Sequence, residues 1–338
     1  MSGGAVLLVY LFVVLVNPWG DLPVSWPVAR WPVDGNARYS FPFLARSADF
    51  DSAVLGSSTS RLFRPELLNR VFDGRFANLA MNSATAYEQS SLLGVFVRAH
   101  PAPRVVIIGL EDVRWCVPPS GLVRHTPEFA FPDWLYDGSR WGDYLHMADL
   151  YAVERAGQAF AEWTGLKRRV YGRDGYTRFV PDESRYDPAR VAELMAPAKP
   201  WEPPDEGPDP ERWQMPALDL LREDLTRLPA ATRKLMVFVP VSTRLIAPPT
   251  TRGGAWFAEC KRRVVDLARG AGRAAVTDLA FASPLTSDPA HYWDAWHTRV
   301  GIADRVVTEI AARLAGSASD DVRVLFQSDA GTVVSRSE

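Results

Sequence analysis

Two short stretches, far apart in the chain, carry residue types suited to acyl chemistry. Gly56-Ser57-Ser58-Thr59-Ser60 follows a short apolar run, Phe50 to Leu55. A serine on a sharp turn at the end of a buried strand can expose its hydroxyl, and the backbone N–H groups beyond it can stabilise a developing oxyanion. Such a hydroxyl needs a base to become nucleophilic. Near the other end, Tyr292-Trp293-Asp294-Ala295-Trp296-His297 offers one. An aspartate three residues ahead of a histidine can hold the ring through Nδ1 and leave Nε2 free for a serine. Asp288 and His291 repeat the spacing. Each motif also has an ordinary reading: Ser and Thr cap helices, and Asp–His pairs are common on surfaces.

Two further turns hold polar residues. Asn82 and Ser83 follow the run Arg75 to Met81, and Asn82 is a candidate amide donor to an oxyanion. Glu111 and Asp112 follow Arg104 to Leu110. With His297 they suggest a metal-dependent hydrolase as a third reading, although no helical i, i+4 ligand spacing supports it.

These turns must be held by a scaffold. Arg104 to Leu110 (RVVIIGL) is a continuous β-branched run of the kind buried on both faces of a parallel sheet. Five strands are expected at about 50–56, 75–81, 104–110, 234–242 and 274–279. Helices are expected between them at 61–72, 84–100, 216–228 and 256–271, and after the last at 298–315. That alternation predicts an α/β fold with a doubly wound, flavodoxin-like five-stranded parallel sheet, in which ligands bind beyond the carboxyl ends of the strands. Residues 117–215 break the pattern with many prolines and predict a large irregular and helical insertion, with helical pieces at 142–164 and 187–196. Residues 21–49, with Pro23, Pro27, Pro32 and Pro42, predict an extended lead-in. Residues 316–338 read as a polar, loosely held C-terminal tail, leaving 50–315 as the α/β domain.

The whole pattern resembles the SGNH/GDSL-type hydrolase superfamily. The Gly-x-Ser-x-Ser turn follows the first strand, an Asn-bearing turn the second, a Gly-bearing turn the third, and a terminal D-x-x-H precedes the last helix. The resemblance puts the nucleophile on Ser58, the acid and base on Asp294 and His297, and the oxyanion site on the Ser58 N–H with Asn82 or Ser83. It favours Asp294/His297 over Asp288/His291 because His297 abuts the helix containing Gly301. Departures are Ser57 for the usual Asp, the missing second-block Gly, and Glu111 for the third-block Asn. In layout the chain looks like the membrane-anchored SGNH-like proteins of cell-envelope polymer acylation. That implies a serine esterase or O-acyltransferase with no cofactor and no metal, acting on an acylated polysaccharide or other ester substrate. A catalytically silent domain that binds glycan or scaffolds a membrane assembly is the alternative.

Composition sets outer limits. The 338 residues carry 38 Lys+Arg against 40 Asp+Glu, a net charge of −2, which argues against a nucleic-acid partner. The basic residues include only Lys167, Lys199, Lys234 and Lys261 as lysines. Two cysteines, Cys116 and Cys260, exclude a thiolate-only zinc site and could pair in an oxidising compartment. Residues 1–20 contain twelve consecutive apolar residues, Ala5 to Val16. They predict a membrane anchor or signal-like segment just long enough to span if Gly3 and Gly4 are included. Trp19 and Trp26 would lie in the interfacial belt, with the domain facing the periplasm or cell exterior. A cleaved signal peptide fits less well, for want of an A-x-A-like site, and a buried core helix is the plain alternative. The aromatics Trp115, Trp134, Trp141, Tyr136 and Tyr144 could stack on sugars, with ordinary packing the simpler role for each.

Overall fold

The computed structural model describes residues 3–328. The first elements are α1 (Gly3–Val16), α2 (Ala37–Ala45), β1 (Ser52–Leu55), α3 (Pro65–Phe72), β2 (Phe76–Asn78), α4 (Ala86–Ala99), β3 (Val105–Leu110) and α5 (Asp112–Trp115). The insertion holds α6 (Leu150–Trp163) and α7 (Pro188–Met195) among 3-10 turns. Then come α8 (Ala217–Arg227), β4 (Arg233–Phe238), α9 (Arg252–Arg269), β5 (Ala274–Asp278), α10 (Pro284–Ser287), α11 (Val300–Leu314) and β6 (Arg323–Gln327).

The strands form one mixed sheet in the order β2-β1-β3-β4-β5-β6. The first five are parallel, and β6 is antiparallel to β5. The expectation of five strands is therefore corrected to six. The missing strand lies in the supposed loose tail. β5 presents an unpaired edge, and the short run Val324-Leu325-Phe326 supplies side chains for both faces: Leu325 and Phe326 pack on one core cluster and Val324 on the other.

Alternation along the strands divides the core. Ala53, Leu55, Val106, Ile108, Met236 and Phe238 face the cluster filled by α4, α8 and α9. Val54, Val105, Ile107, Leu235 and Val237 face the cluster filled by α3 and α11. The helices present matching stripes: α11 buries Ala303, Val306, Val307, Ile310 and Leu314.

The lead-in is not wholly extended, because α2 forms with Pro42 inside it. Asn36 caps its start by accepting the Arg38 N–H. Proline removes the N–H that would have bonded the Arg38 carbonyl. The Tyr136 hydroxyl donates to that carbonyl instead, at 3.0 Å. Cys116, where the insertion begins, is disulfide-bonded to Cys260 on α9.

No helix among the described residues is long and apolar enough to cross a membrane. Helix α1 has 14 residues, and Val13 and Val16 at its C-terminal end are fully buried in the domain. Trp19 is also buried, stacked on Tyr151, so it does not take the interfacial position expected of it.

Candidate active site

The turn after β1 is shaped by a buried hydroxyl. Ser60 is buried, and its Oγ fills the space where a Cβ on Gly56 or on Gly109 would stand. Only glycine at both strand ends lets the 3-10 turn Ser60–Leu62 tuck beneath the sheet. Gly56 also has φ +152°, a conformation L residues rarely adopt. Asn78 locks the turn from β2, its Nδ2 donating to the carbonyls of Ser60, Arg61 and Phe63.

The remaining hydroxyls divide their work. Ser57 donates to Glu111 Oε1 at 2.5 Å, and Thr59 donates to the same oxygen. Burial pushes the Glu111 carboxyl up from its ordinary value, with the two hydroxyl donors opposing. The acid in the third turn is thus turned onto the residues flanking Ser58 and disfavours its own charge. Ser58 alone of the four is half-buried rather than buried, and its Oγ lies 2.8 Å from His297 Nε2.

His297 is held by a loop folded on itself. Tyr292 and Thr298 form an antiparallel bridge, Trp293 N–H donates to the His297 carbonyl at 2.8 Å, and Ser242 N–H from beyond β4 donates to the Ala295 carbonyl at 2.9 Å. Phe179 of the insertion meets the ring edge-on at 5.4 Å between centroids. Asp294 Oδ1 accepts the N–H groups of Trp296 (2.7 Å) and His297 (2.9 Å), and Oδ2 accepts the ring Nδ1–H at 2.7 Å. Burial alone would raise the Asp294 carboxyl. The His297 ring and the two backbone donors outweigh it and hold the group below the usual carboxylate range. An ionised Asp294 selects the tautomer with its proton on Nδ1, which leaves the Nε2 lone pair toward Ser58.

The second histidine pair is elsewhere. His291 Nδ1 donates to the Leu285 carbonyl at 2.9 Å, and its Nε2 is 3.8 Å from Asp288. It braces α10.

Asn82 and Ser83 occupy the adjoining turn, since Met81 N–H bonds the Gly56 carbonyl at 3.1 Å. Arg61 donates to Asn82 Oδ1, and Arg38 donates to the Asn82 carbonyl at 3.1 Å. With its oxygens engaged, Asn82 Nδ2 makes no hydrogen bond among the described residues, nor does the Ser58 N–H. Ser83 takes the left-handed φ of +53° that glycine adopts most easily, and its hydroxyl donates to Glu128 at 2.6 Å.

Arg61, Arg38 and Asn78 are the positioning residues that the sequence reading overlooks. Arg61 is buried under Phe179, its guanidinium 4.7 Å from the ring centroid, and burial lowers its pKa. Arg38 is buried against Glu88, with Nε to Oε1 at 3.0 Å. No local pattern marks these residues, because their partners are distant in sequence.

Glu111 and Asp112 do not join His297. Asp112 Oδ1 accepts the Val113 N–H, and among the described residues no group of three or more His, Cys, Asp or Glu side chains converges as a metal site. Of the candidate sugar-stacking aromatics, Trp115 and Tyr136 are core residues, and Trp134 stacks on His146 at 4.3 Å.

No family model matches this chain, and no curated protein sequence matches it. Among solved structures, the chain is similar to a Streptococcus pneumonia protein solved under the name of a platelet activating factor. The identity is 8%, the TM-score 0.37, and the match covers 81% of this chain and 91% of the other. A likeness that shallow says nothing of the chemistry.

Proposed function

We propose that this domain is a serine-dependent esterase or O-acyltransferase of the SGNH type. The observation that carries the reading is the pair of contacts Ser58 Oγ to His297 Nε2 at 2.8 Å, across 239 positions of sequence, and His297 Nδ1 to Asp294 at 2.7 Å. In the proposed reaction Nε2 takes the Ser58 proton as Oγ bonds the ester carbonyl carbon. The carbonyl oxygen, now anionic, draws on the free Ser58 N–H and Asn82 Nδ2. The tetrahedral centre collapses, the ester C–O bond breaks, and the departing alkoxide receives the proton from His297. Acyl-Ser58 remains. Water then gives hydrolysis and a free acid, whereas a sugar hydroxyl gives transfer, each deprotonated in turn by His297.

The Cys116–Cys260 disulfide supports an oxidising compartment, so we place the domain outside the cytoplasm, held at a membrane through the N-terminal helix. An acylated envelope glycan is the proposed substrate. Glu111 in the third turn is the observation that favours the alternative, a silent glycan-binding domain. Its side chain faces Ser57 and Thr59, which leaves the serine reading the better supported.

A fluorophosphonate probe tests the reading. Labelling of the folded chain that disappears in Ser58→Ala supports it. A folded chain that takes no label supports the silent domain.

A further inference from the structure

The apolar helix α1 is anchored in the domain at its C-terminal end. That end is packed into the core through Val13 and Val16, while Leu8, Leu11 and Leu15 on one line of the helix are exposed, as are Val6, Leu7 and Val9 in its N-terminal half. Trp19 stacks on Tyr151 and Phe12 meets Phe160 edge-on, so α1 and α6 run antiparallel side by side. At 14 residues α1 is about 21 Å long, against about 30 Å of bilayer hydrocarbon.

A second apolar surface lies beside this line and belongs to the insertion. Tyr144 is the hinge point: its carbonyl accepts the Tyr10 hydroxyl at 3.0 Å, its hydroxyl accepts the Val24 N–H at 3.1 Å, and its ring stacks on Trp141. Around it, Trp141 is 70% exposed and Leu145 81% exposed. Leu150, at the start of α6, is 85% exposed. Val24 and Trp26 extend the surface, Trp26 N–H bonding the Leu15 carbonyl at 2.9 Å. Exposed leucines grouped with Trp141 around Tyr144 mark an interaction surface rather than scattered solvent-side apolar residues.

Two features identify the occupant. The surface is continuous with a helix whose residues from Ala5 to Val16 carry no charge and no polar side chain except Tyr10, the composition of a segment that meets hydrocarbon. Lys167 and Arg168, just past the end of α6, are exposed and have no ion-pair partner among the described residues. The antiparallel packing puts that end of α6 toward the N-terminal half of α1, with both cations free to meet anionic headgroups.

We infer that α1 and the Trp141–Leu150 segment form one surface that docks flat on an anionic phospholipid bilayer, so that the insertion itself enters the interface. This rests on the membrane reading above and specifies its geometry: the domain sits on the lipid and is not suspended from a tether.

The test uses the full chain with vesicles of phosphatidylglycerol and phosphatidylcholine brominated on its acyl chains. Flotation reports association, and loss of tryptophan fluorescence reports depth. The expected result is flotation with quenching that falls measurably in Trp141→Phe, a change that leaves the surface apolar. Flotation with the same quenching in wild type and Trp141→Phe overturns the docking surface and leaves an α1-only anchor. A dimer in solution that shields Trp141 also overturns it. A folded chain that does not float overturns both the surface and the membrane reading.

Discussion

Glu111 Oε1 accepts the Ser57 hydroxyl at 2.5 Å, joining the end of β3 to the residue beside the candidate nucleophile. The carboxyl also holds Thr59, so one acid clamps both neighbours of Ser58. Its raised pKa follows from burial, and a neutral amide should replace it. Glu111→Gln is expected to keep the wild-type melting temperature within a few degrees. Glu111→Ala leaves two buried hydroxyls without an acceptor and should cost about 1–3 kcal/mol for each. Urea denaturation of the two variants measures the clamp, and equal stability of Glu111→Ala and wild type would contradict it.

The packing of Ser60 between two glycines gives an asymmetric rescue. A Cβ at Gly109 meets Ser60 Oγ first, with Ser60 Cβ 3.2 Å away, whereas a Cβ at Gly56 also stands 2.5 Å from Ser60 Cβ. Gly109→Ala and Gly56→Ala should each destabilise by about 1–3 kcal/mol or more. Adding Ser60→Ala should restore most of the Gly109→Ala loss and little of the Gly56→Ala loss. Equal rescue of both would contradict the geometry.

Asp224 lends the fold a pH dependence of definite sign. Burial raises its carboxyl to about 7, opposed by the Ser90 hydroxyl at 2.7 Å and by Arg227. The folded state therefore keeps a proton that the unfolded chain loses near pH 4. Stability from this group is full below about pH 4 and falls as pH rises toward 7, by roughly 2–4 kcal/mol at most. Asp224→Asn should flatten that part of the stability profile and be the more stable form at pH 8. Chemical denaturation at pH 5 and pH 8 measures it.

Much of the scaffold was legible because parallel strands buried on both faces need unbroken apolar runs, as Val105 to Leu110 shows. Ser58 stood out because polar residues just past such runs collect at one end of a sheet, and His297 because an aspartate stands three residues ahead of it before the last helix. The edge strand β6 was hidden in a polar tail, where three apolar residues gain meaning only beside an open β5 edge. Helix α2 was hidden by Pro42, whose cost is met by Tyr136, 94 positions on. The orientation of Glu111 and the grip of Arg61 and Arg38 on Asn82 were unreadable for the same reason: each depends on partners distant in sequence.

In the proposed reaction Asp294 acts on Ser58 only through the ring it orients. Asp294→Asn keeps the shape but no longer selects the Nδ1–H tautomer, and esterase turnover should fall by about 10²–10⁴-fold. Binding of an unreactive substrate analogue should change little. Unchanged turnover of an activated ester would remove Asp294 from the mechanism.

The central claim is a covalent acyl group on Ser58. Incubation of the folded chain with 4-nitrophenyl acetate, acid quenching, and mass analysis of the peptide containing Ser58 measures it directly. One acetyl group on Ser58, absent in Ser58→Ala and strongly reduced in His297→Ala, is the predicted result. Ester turnover by wild type with Ser58 never acetylated, or turnover that persists in Ser58→Ala, would contradict the account.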